Sequence, residues 1–477
     1  MKPSSQDTLH DGQLARALSP MSVWALALGC IIGWGSFILP GTLFLPQAGP
    51  GGTALAMVVA AAAMTVIALN YGFMIARFPL AGGEHSYVHA TFGRVHAFAC
   101  SWLLGLCYLS LVAQNATALT VVGRSLLGSA LQFGFHYQMA GFDVYAGELL
   151  VALGVLALFG AMSIRGVRLS GMLQTVLVFA VVFGVGFACV AALISPDVAV
   201  DSIDPLFSPM ADPLFGVLAV LAVAPFAFVG FDTIPQAAEE YSFSPGRARR
   251  LVVVAIAFGA LIYIALAALA VVVQPSGYSS WPAYIEDAPA LPGVSSLPTF
   301  HSAYALAGPL GLVAIAVAAC GAILSGIVGF YLASSRLLFA MGRAGNIPAW
   351  FAQVHPRYHT PHHAILFVMA VCFVAPFFGR TVLGWLVDMS SLGAAVAYGY
   401  TSLAVLKIAR SEGGWRDRVL GLAGTAFSAL FVALLLVPVP GLDAALGQES
   451  FVCLMGWAVL GVGFFFVSGR KTREGAA

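Results

Sequence analysis

The chain has 477 residues, of which 60% are hydrophobic and 9% charged, with a mean hydropathy of +0.94 and a formal net charge of +1. Soluble globular domains carry roughly 25% charged residues, so water is not this chain's main solvent. The balanced charge supplies no basic face for nucleic acid.

Residues 1–20 are polar and lead into a long apolar stretch with no small-residue cleavage site, which predicts a retained tail rather than a removable signal peptide. Twelve apolar stretches follow, each long enough to cross ~30 Å of hydrocarbon as a helix. They lie near residues 21–46, 53–77, 96–122, 147–164, 171–194, 214–240, 251–273, 304–340, 363–378, 382–408, 418–438 and 450–468, here segments 1 to 12. Because the runs are continuous rather than alternating, a β-barrel is excluded and the predicted fold class is an all-α integral membrane protein. With the N-terminus taken as cytoplasmic, all 21 Lys and Arg except Arg124 and Arg380 fall inside. The external loops hold Asp197, Asp201, Asp204, Asp212, Glu286, Asp287, Asp443 and Glu449. That bias predicts an even number of crossings and two cytoplasmic termini, with residues 469–477 as the second tail.

Segment 1 carries Gly33, Trp34, Gly35 and Ser36, then Pro40, at about its middle. Glycine and proline weaken a helix by roughly 1 and 3 kcal/mol each, so the helix should break there. Segment 6 carries Gly230, Phe231, Asp232 and Thr233, then Pro235, again near mid-depth. Five segments separate the breaks, and an odd offset makes the second half enter from the opposite side. Residues 21–194 and 214–408 then form a five-plus-five inverted repeat with discontinuous helices 1 and 6, and segments 11 and 12 (418–468) remain for lipid contact or homodimer assembly. Non-helical backbone at membrane depth is tolerated only where protein or a water-filled cavity surrounds it, so both breaks should line a central site. A glycine-rich helix contact or a proline kink explains either motif alone; their pairing is what points to a carrier.

At the first break the amides of Trp34, Gly35 and Ser36 open a half-helix whose positive end suits a carboxylate. At the second, a half-helix ends with free carbonyls from Phe226 to Val229 beside Gly230, which suits an ammonium group. Asp232 lies within this break and is the first candidate for proton coupling or cation binding, the alternative being an acid that closes the broken helix. Asp388 reads as an acid stabilised by the start of segment 10, and Glu239 and Glu240 as an interfacial pair or an inner-gate salt bridge with nearby arginines. His355, His359, His362 and His363 straddle two prolines without a nearby cysteine or acid, so no metal is expected. All seven cysteines sit in apolar segments, against a disulfide framework. No phosphate-binding glycine loop is present, and no cofactor or enzymatic activity is expected.

These residues resemble the amino acid, polyamine and organocation transporter superfamily over essentially the whole chain. The resemblance is carried by Gly33 to Pro40, by Phe78 to Tyr87 with Phe92 and Gly93, by Phe226 to Glu240, and by Ser335 to Pro348. It implies the LeuT-like inverted-repeat fold. It also implies that the carbonyls of Ile31, Phe226 and Val229 hold a substrate amine, that Trp34, Gly35 and Ser36 face its carboxylate, and that Phe226 and Phe330 are gate or cation-stacking aromatics. Trp34 replaces a small residue usual between the glycines and should reshape the carboxylate subsite. Val181 stands where several relatives carry a sodium-mimicking lysine, which leaves H+ or Na+ as the coupling ion, with Ser325, Ser334 and Ser335 as oxygen ligands for sodium. The expectation is a permease of the plasma membrane, a bacterial inner membrane, that imports an amino acid or organic amine by alternating access. The alternatives are an exchanger, a channel or substrate-sensing receptor on the same scaffold, and, last, a membrane enzyme using the histidine loop.

Overall fold

The computed structural model describes residues 14 and 16–474 apart from 197, 199, 413 and 443. Residues 1–13 and 15 of the first predicted tail, residues 475–477 of the second, and Asp197 and Asp443 of the external acids lie outside the described residues, while the rest of the second tail continues the helix Gln448–Glu474. The described chain is overwhelmingly helical, as apolar backbone must be when lipid offers no hydrogen bonds to its amides and carbonyls. Nine stretches among the described residues are long and apolar enough to cross a membrane. One of them, Pro20–Arg77, carries both segment 1 and segment 2. Segments 6 and 9 hold the shorter apolar helices Pro213–Ala222 and His362–Cys372.

Several boundaries differ from the sequence expectation. Segment 8, expected over 304–340, is the helix Pro298–Arg343 with a bend at Ala307 and Gly308 just before Pro309. Segment 9, expected to reach 378, stops as an α-helix at Cys372; a 3-10 stretch Ala375–Thr381 containing Pro376 and a left-handed Gly379 then runs into segment 10, Val382–Glu412. A two-stranded hairpin, His136–Met139 with Phe142–Tyr145, links segments 3 and 4. Short helices Glu84–Phe92 and Trp281–Asp287 occupy loops that carry no long apolar run.

Between segments 1 and 2 the chain turns at Gly49, whose φ is 70°. A Cβ there would come within 2.6 Å of the Ser208 amide, so only glycine lets the loop before segment 6 pass. Segment 1 is enclosed by segments 5, 7 and 8, segment 2 packs on segments 6 and 7, and segment 3 packs on segments 8 and 10. Large apolar side chains such as Leu150, Phe183, Leu193 and Leu310 point outward, a distribution suited to lipid. Most of the buried apolar side chains form one large core that includes residues of segments 1 and 6, with four smaller clusters beside it.

The two helix breaks meet. Gly230 has φ of 137°, and a Cβ on it would fall 2.6 Å from both Cys30 Cβ and the Ile31 amide nitrogen. Gly230→Ala therefore meets both a forbidden backbone conformation and a rigid backbone neighbour, and is expected to cost roughly 2–4 kcal/mol. A thermal melt of purified protein should fall for Gly230→Ala and stay unchanged for Gly105→Ala, where a Cβ meets no other atom within 4 Å.

Candidate substrate site at two helix breaks

The first half of segment 1, Pro20–Ile31, ends when Ile32 leaves helical geometry at φ −94°, ψ 76°. A second short helix, Gly35–Leu39, starts after Trp34 and passes into a π-helical turn, Pro40–Phe44. Pro40 supplies no amide to that turn and so permits the wider spiral. The gap is stitched to segment 3. The Trp34 amide donates to Asn115 Oδ1 at 3.4 Å, and its indole Nε1 donates to Gln114 Oε1 at 3.0 Å. Ser36 turns back on the break, with its amide at 3.3 Å and its hydroxyl at 2.9 Å from the Gly33 carbonyl. Of the three amides expected to face a carboxylate, only that of Gly35 has no acceptor among the described residues.

Segment 6 runs from Pro213–Ala222 through Ala224–Phe228 and then opens at Val229, at φ −57° and ψ 132°. It resumes only as the single turn Thr233–Gln236. Asp232 closes this gap: Oδ1 accepts the Gly230 amide at 2.7 Å, and Oδ2 accepts the Tyr108 hydroxyl at 2.9 Å. Thr233 Oγ1 donates to the Gly230 carbonyl at 2.5 Å. The carbonyls of Phe226 and Val229 find no donor among the described residues, whereas the Ile31 carbonyl accepts the Tyr263 hydroxyl at 3.4 Å.

Ile31, Gly33, Trp34, Gly35, Ser36, Phe226, Val229, Gly230 and Asp232 thus converge on one buried spot. Phe226 presses its ring edge on Gly35, where a Cβ would meet its Cε1 at 2.8 Å, and meets the Trp34 ring at 6.2 Å. Phe330 is not in this first layer; it stacks on Tyr108 at 6.0 Å behind Asp232. Ser334 and Ser335 lie further along segment 8, each hydroxyl donating to carbonyls of its own helix, Ser334 to Phe330 at 2.5 Å and Ser335 to Leu332 at 3.0 Å.

A cavity of about 390 Å³ reaches Trp34 from the face that carries Arg380 and Asp388. On the opposite face the chain is shut. Arg336 grips Glu240 through Nε at 2.6 Å and Nη2 at 3.2 Å, both side chains fully buried, and Arg343 pairs with Glu239 at 3.0 Å. The Ala17 and Leu18 amides both donate to the Glu240 carbonyl at 3.0 Å, so the residues before segment 1 are strapped across the same closure. Asp388, expected to be a plain helix-start acid, accepts the Gly447 amide at 3.2 Å and the Ser450 hydroxyl at 2.7 Å, tying segment 10 to segment 12.

Sequence reasoning missed the polar residues that frame the breaks from other segments. Gln114 and Asn115 hold Trp34 in place, and Gln114 Nε2 is a buried donor with no partner among the described residues. In segment 5, Val181 lies against Gly321, and the residue that bridges segments 1 and 8 is Gln174, whose Nε2 donates to Ser325 Oγ at 2.6 Å and to the Ala25 carbonyl at 3.3 Å. A polar residue in an otherwise apolar helix was the available signal at each of these three positions. In the histidine loop, His355 Nδ1 accepts the Arg357 amide at 3.1 Å and the Tyr358 amide at 3.3 Å, a turn-forming role, and no metal-binding group of three or more side chains occurs among the described residues.

Residues 18–464 match the family model described as amino acid permease. The methylthioribose transporter of Bacillus subtilis is 28% identical over 413 residues, 84% of this chain and 82% of that protein. The branched-chain amino acid permease BcaP of the same species is 26% identical over 492 residues, 98% of this chain and 97% of that protein. The vacuolar cationic amino acid transporter 4 of Arabidopsis thaliana is 27% identical over 416 residues, 84% of this chain and 65% of that protein. With a family match across nearly its whole length and helices built for a bilayer, the chain belongs to the amino acid permease family of the amino acid, polyamine and organocation superfamily, and is a multi-pass membrane transporter rather than an enzyme.

Proposed function

We propose that this transporter imports an amino acid or a related organic amine across the plasma membrane by alternating access, driven by an ion gradient. One observation carries the proposal: the two breaks touch, with an unclaimed Gly35 amide on one side and unclaimed Phe226 and Val229 carbonyls on the other. A short half-helix N-terminus and bare carbonyls are complementary to the two ends of a zwitterion. On this reading Ile31, Phe226 and Val229 receive the ammonium, Gly33 to Ser36 the carboxylate, and Gln114 Nε2 supplies a further donor within reach of Trp34. The relatives' names, which cover methylthioribose, branched-chain amino acids and cationic amino acids, support a small organic solute of this kind.

In the proposed architecture twelve segments cross the membrane with both ends cytoplasmic, and residues 21–194 and 214–408 are inverted repeats. The Asp388 face is then external, the Glu240 face cytoplasmic, and the described conformation open to the outside with its inner gate shut. Asp232 is the coupling residue in this reading. A sodium-driven cycle would instead draw on the oxygens of Ser334 and Ser335 and would show sodium-dependent uptake.

Counterflow in proteoliposomes tests the transport reading: preloaded unlabelled substrate should drive transient accumulation of labelled amino acid or amine. A channel or a sensor gives none. Gln114→Ala frees the Trp34 indole and removes one buried hydrogen bond worth about 1.5 kcal/mol, so apparent affinity in that assay should fall roughly tenfold. Glu240→Gln leaves Arg336 buried without its partner, at a cost of roughly 3–5 kcal/mol to the closed inner face. Labelling of Cys30 by an impermeant maleimide in inside-out vesicles should rise in that variant; unchanged labelling would remove the pair from the gate.

A further inference from the structure

Glu84 is the first residue of the short helix Glu84–Phe92, directly after Gly82 and Gly83, and its carboxylate is fully buried. Tyr71 donates its hydroxyl to Oε1 at 2.8 Å from segment 2, and Gln236 donates Nε2 to Oε2 at 2.5 Å from the inner part of segment 6. The same Gln236 nitrogen lies 3.4 Å from the Tyr108 hydroxyl, which in turn donates to Asp232 Oδ2. Two carboxyl groups are therefore joined by one amide and one phenol in a region closed to solvent.

The groups that face this pair are Tyr71 from segment 2, Tyr87 beside Glu84, Cys100, Cys107 and Tyr108 from segment 3, Cys30 from segment 1, and Tyr398 from segment 10. None is cationic. Arg336, on segment 8, is held by Glu240, and His85, next to Glu84 in the chain, turns to Ser101 at 2.9 Å and Asn346 at 3.5 Å. Three polar atoms around the pair, Gln236 Oε1, Tyr87 Oη and Tyr398 Oη, are buried with no partner among the described residues. Two unpaired negative charges a few bonds apart in low dielectric repel strongly, and a bound proton relieves that repulsion. A calcium or magnesium ion would need about six oxygen ligands, but here each of the four carboxylate oxygens already receives an N–H or O–H donor.

We propose that Glu84 and Asp232 together form the proton-binding site of the transporter, sharing one proton through Gln236 and Tyr108. The step is a protonation alone: one carboxylate gains H+ from the aqueous side and later returns it, with no bond to the substrate. Geometry links the site to the gate. Glu84 directly follows the loop whose Gly82 amide donates to the Gln236 carbonyl at 3.4 Å, and Gln236 is four residues before Glu240. With the proton bound, the repulsion between the two carboxyl groups is relieved and the substrate-loaded carrier passes between its two open faces. After its loss, two like charges push the loop and segment 6 apart and stall the loaded carrier, so net accumulation follows the proton gradient.

The inference rests on the transport reading, and the experiment separates the two. In wild-type proteoliposomes, a failure of counterflow would sink transport itself. Given counterflow, Glu84→Gln, a permanent mimic of the protonated acid, should lower accumulation driven by an imposed pH gradient at least tenfold while counterflow falls less than twofold. Gradient-driven accumulation that persists in Glu84→Gln, or folded protein that loses both activities together, overturns the proposal. Tyr71→Phe provides a second reading should Glu84→Gln not fold. It removes one donor to the Glu84 carboxylate, so the pH midpoint of uptake should move upward; an unmoved midpoint also overturns the proposal.

Discussion

The rest of the structure depends on one constraint: a backbone that stops being helical inside a bilayer must find partners for its amides and carbonyls from somewhere other than water or lipid. Segments 1 and 6 both stop at mid-length, and each is repaired by polar side chains, from another segment in the first case and largely from the gap itself in the second. Asn115 and Gln114 serve the first gap, and Asp232, Thr233 and Tyr108 serve the second. The repair is incomplete on the side where the gaps face each other. There the Gly35 amide and the Phe226 and Val229 carbonyls are left over, and Gly230 brings the two gaps into backbone contact.

That economy explains why the surrounding helices are arranged as they are. Segments 5, 7 and 8 wrap segment 1 so that its unwound stretch never touches lipid, and segments 3 and 10 carry the tyrosines that back segment 6. The two faces of the site are held by different physics. Toward Glu240 the closure is made of buried charge and of the chain before segment 1, both sensitive to the loss of a single partner. Toward Asp388 there is open space down to Trp34, whose indole is pinned by Gln114 and edged by Phe226. A ring so placed between a cavity and a set of bare peptide groups is well positioned to admit a solute by a small rotation.

Much of this was legible in the residues. Glycine and proline at Gly33 to Pro40 and at Gly230 to Pro235 lower helix stability enough to mark both breaks, and long apolar runs mark the helices. The bend at Ala307 and Gly308 and the early stop of segment 9 at Cys372 were also signalled by Pro309 and Pro376, but hydropathy alone blurs them into their neighbours. The contacts that complete the site were not legible. Nothing beside Glu84 in the chain shows that Tyr71 and Gln236 close over its carboxylate, and nothing beside Phe330 shows that its ring stacks on Tyr108. Those outcomes are set by which helix faces meet, information that no single segment contains. Gln174 illustrates the same point: its role in joining segments 1 and 8 depends on the rotation of segment 5.

The most direct test is a substrate-bound density map obtained by electron cryomicroscopy after a ligand has been found by thermal shift. The account predicts solute density between Gly35 and Val229, with its acidic end at the Gly35 amide and its basic end at the Phe226 and Val229 carbonyls. Density lodged elsewhere, or segments 1 and 6 seen as uninterrupted helices, would contradict it.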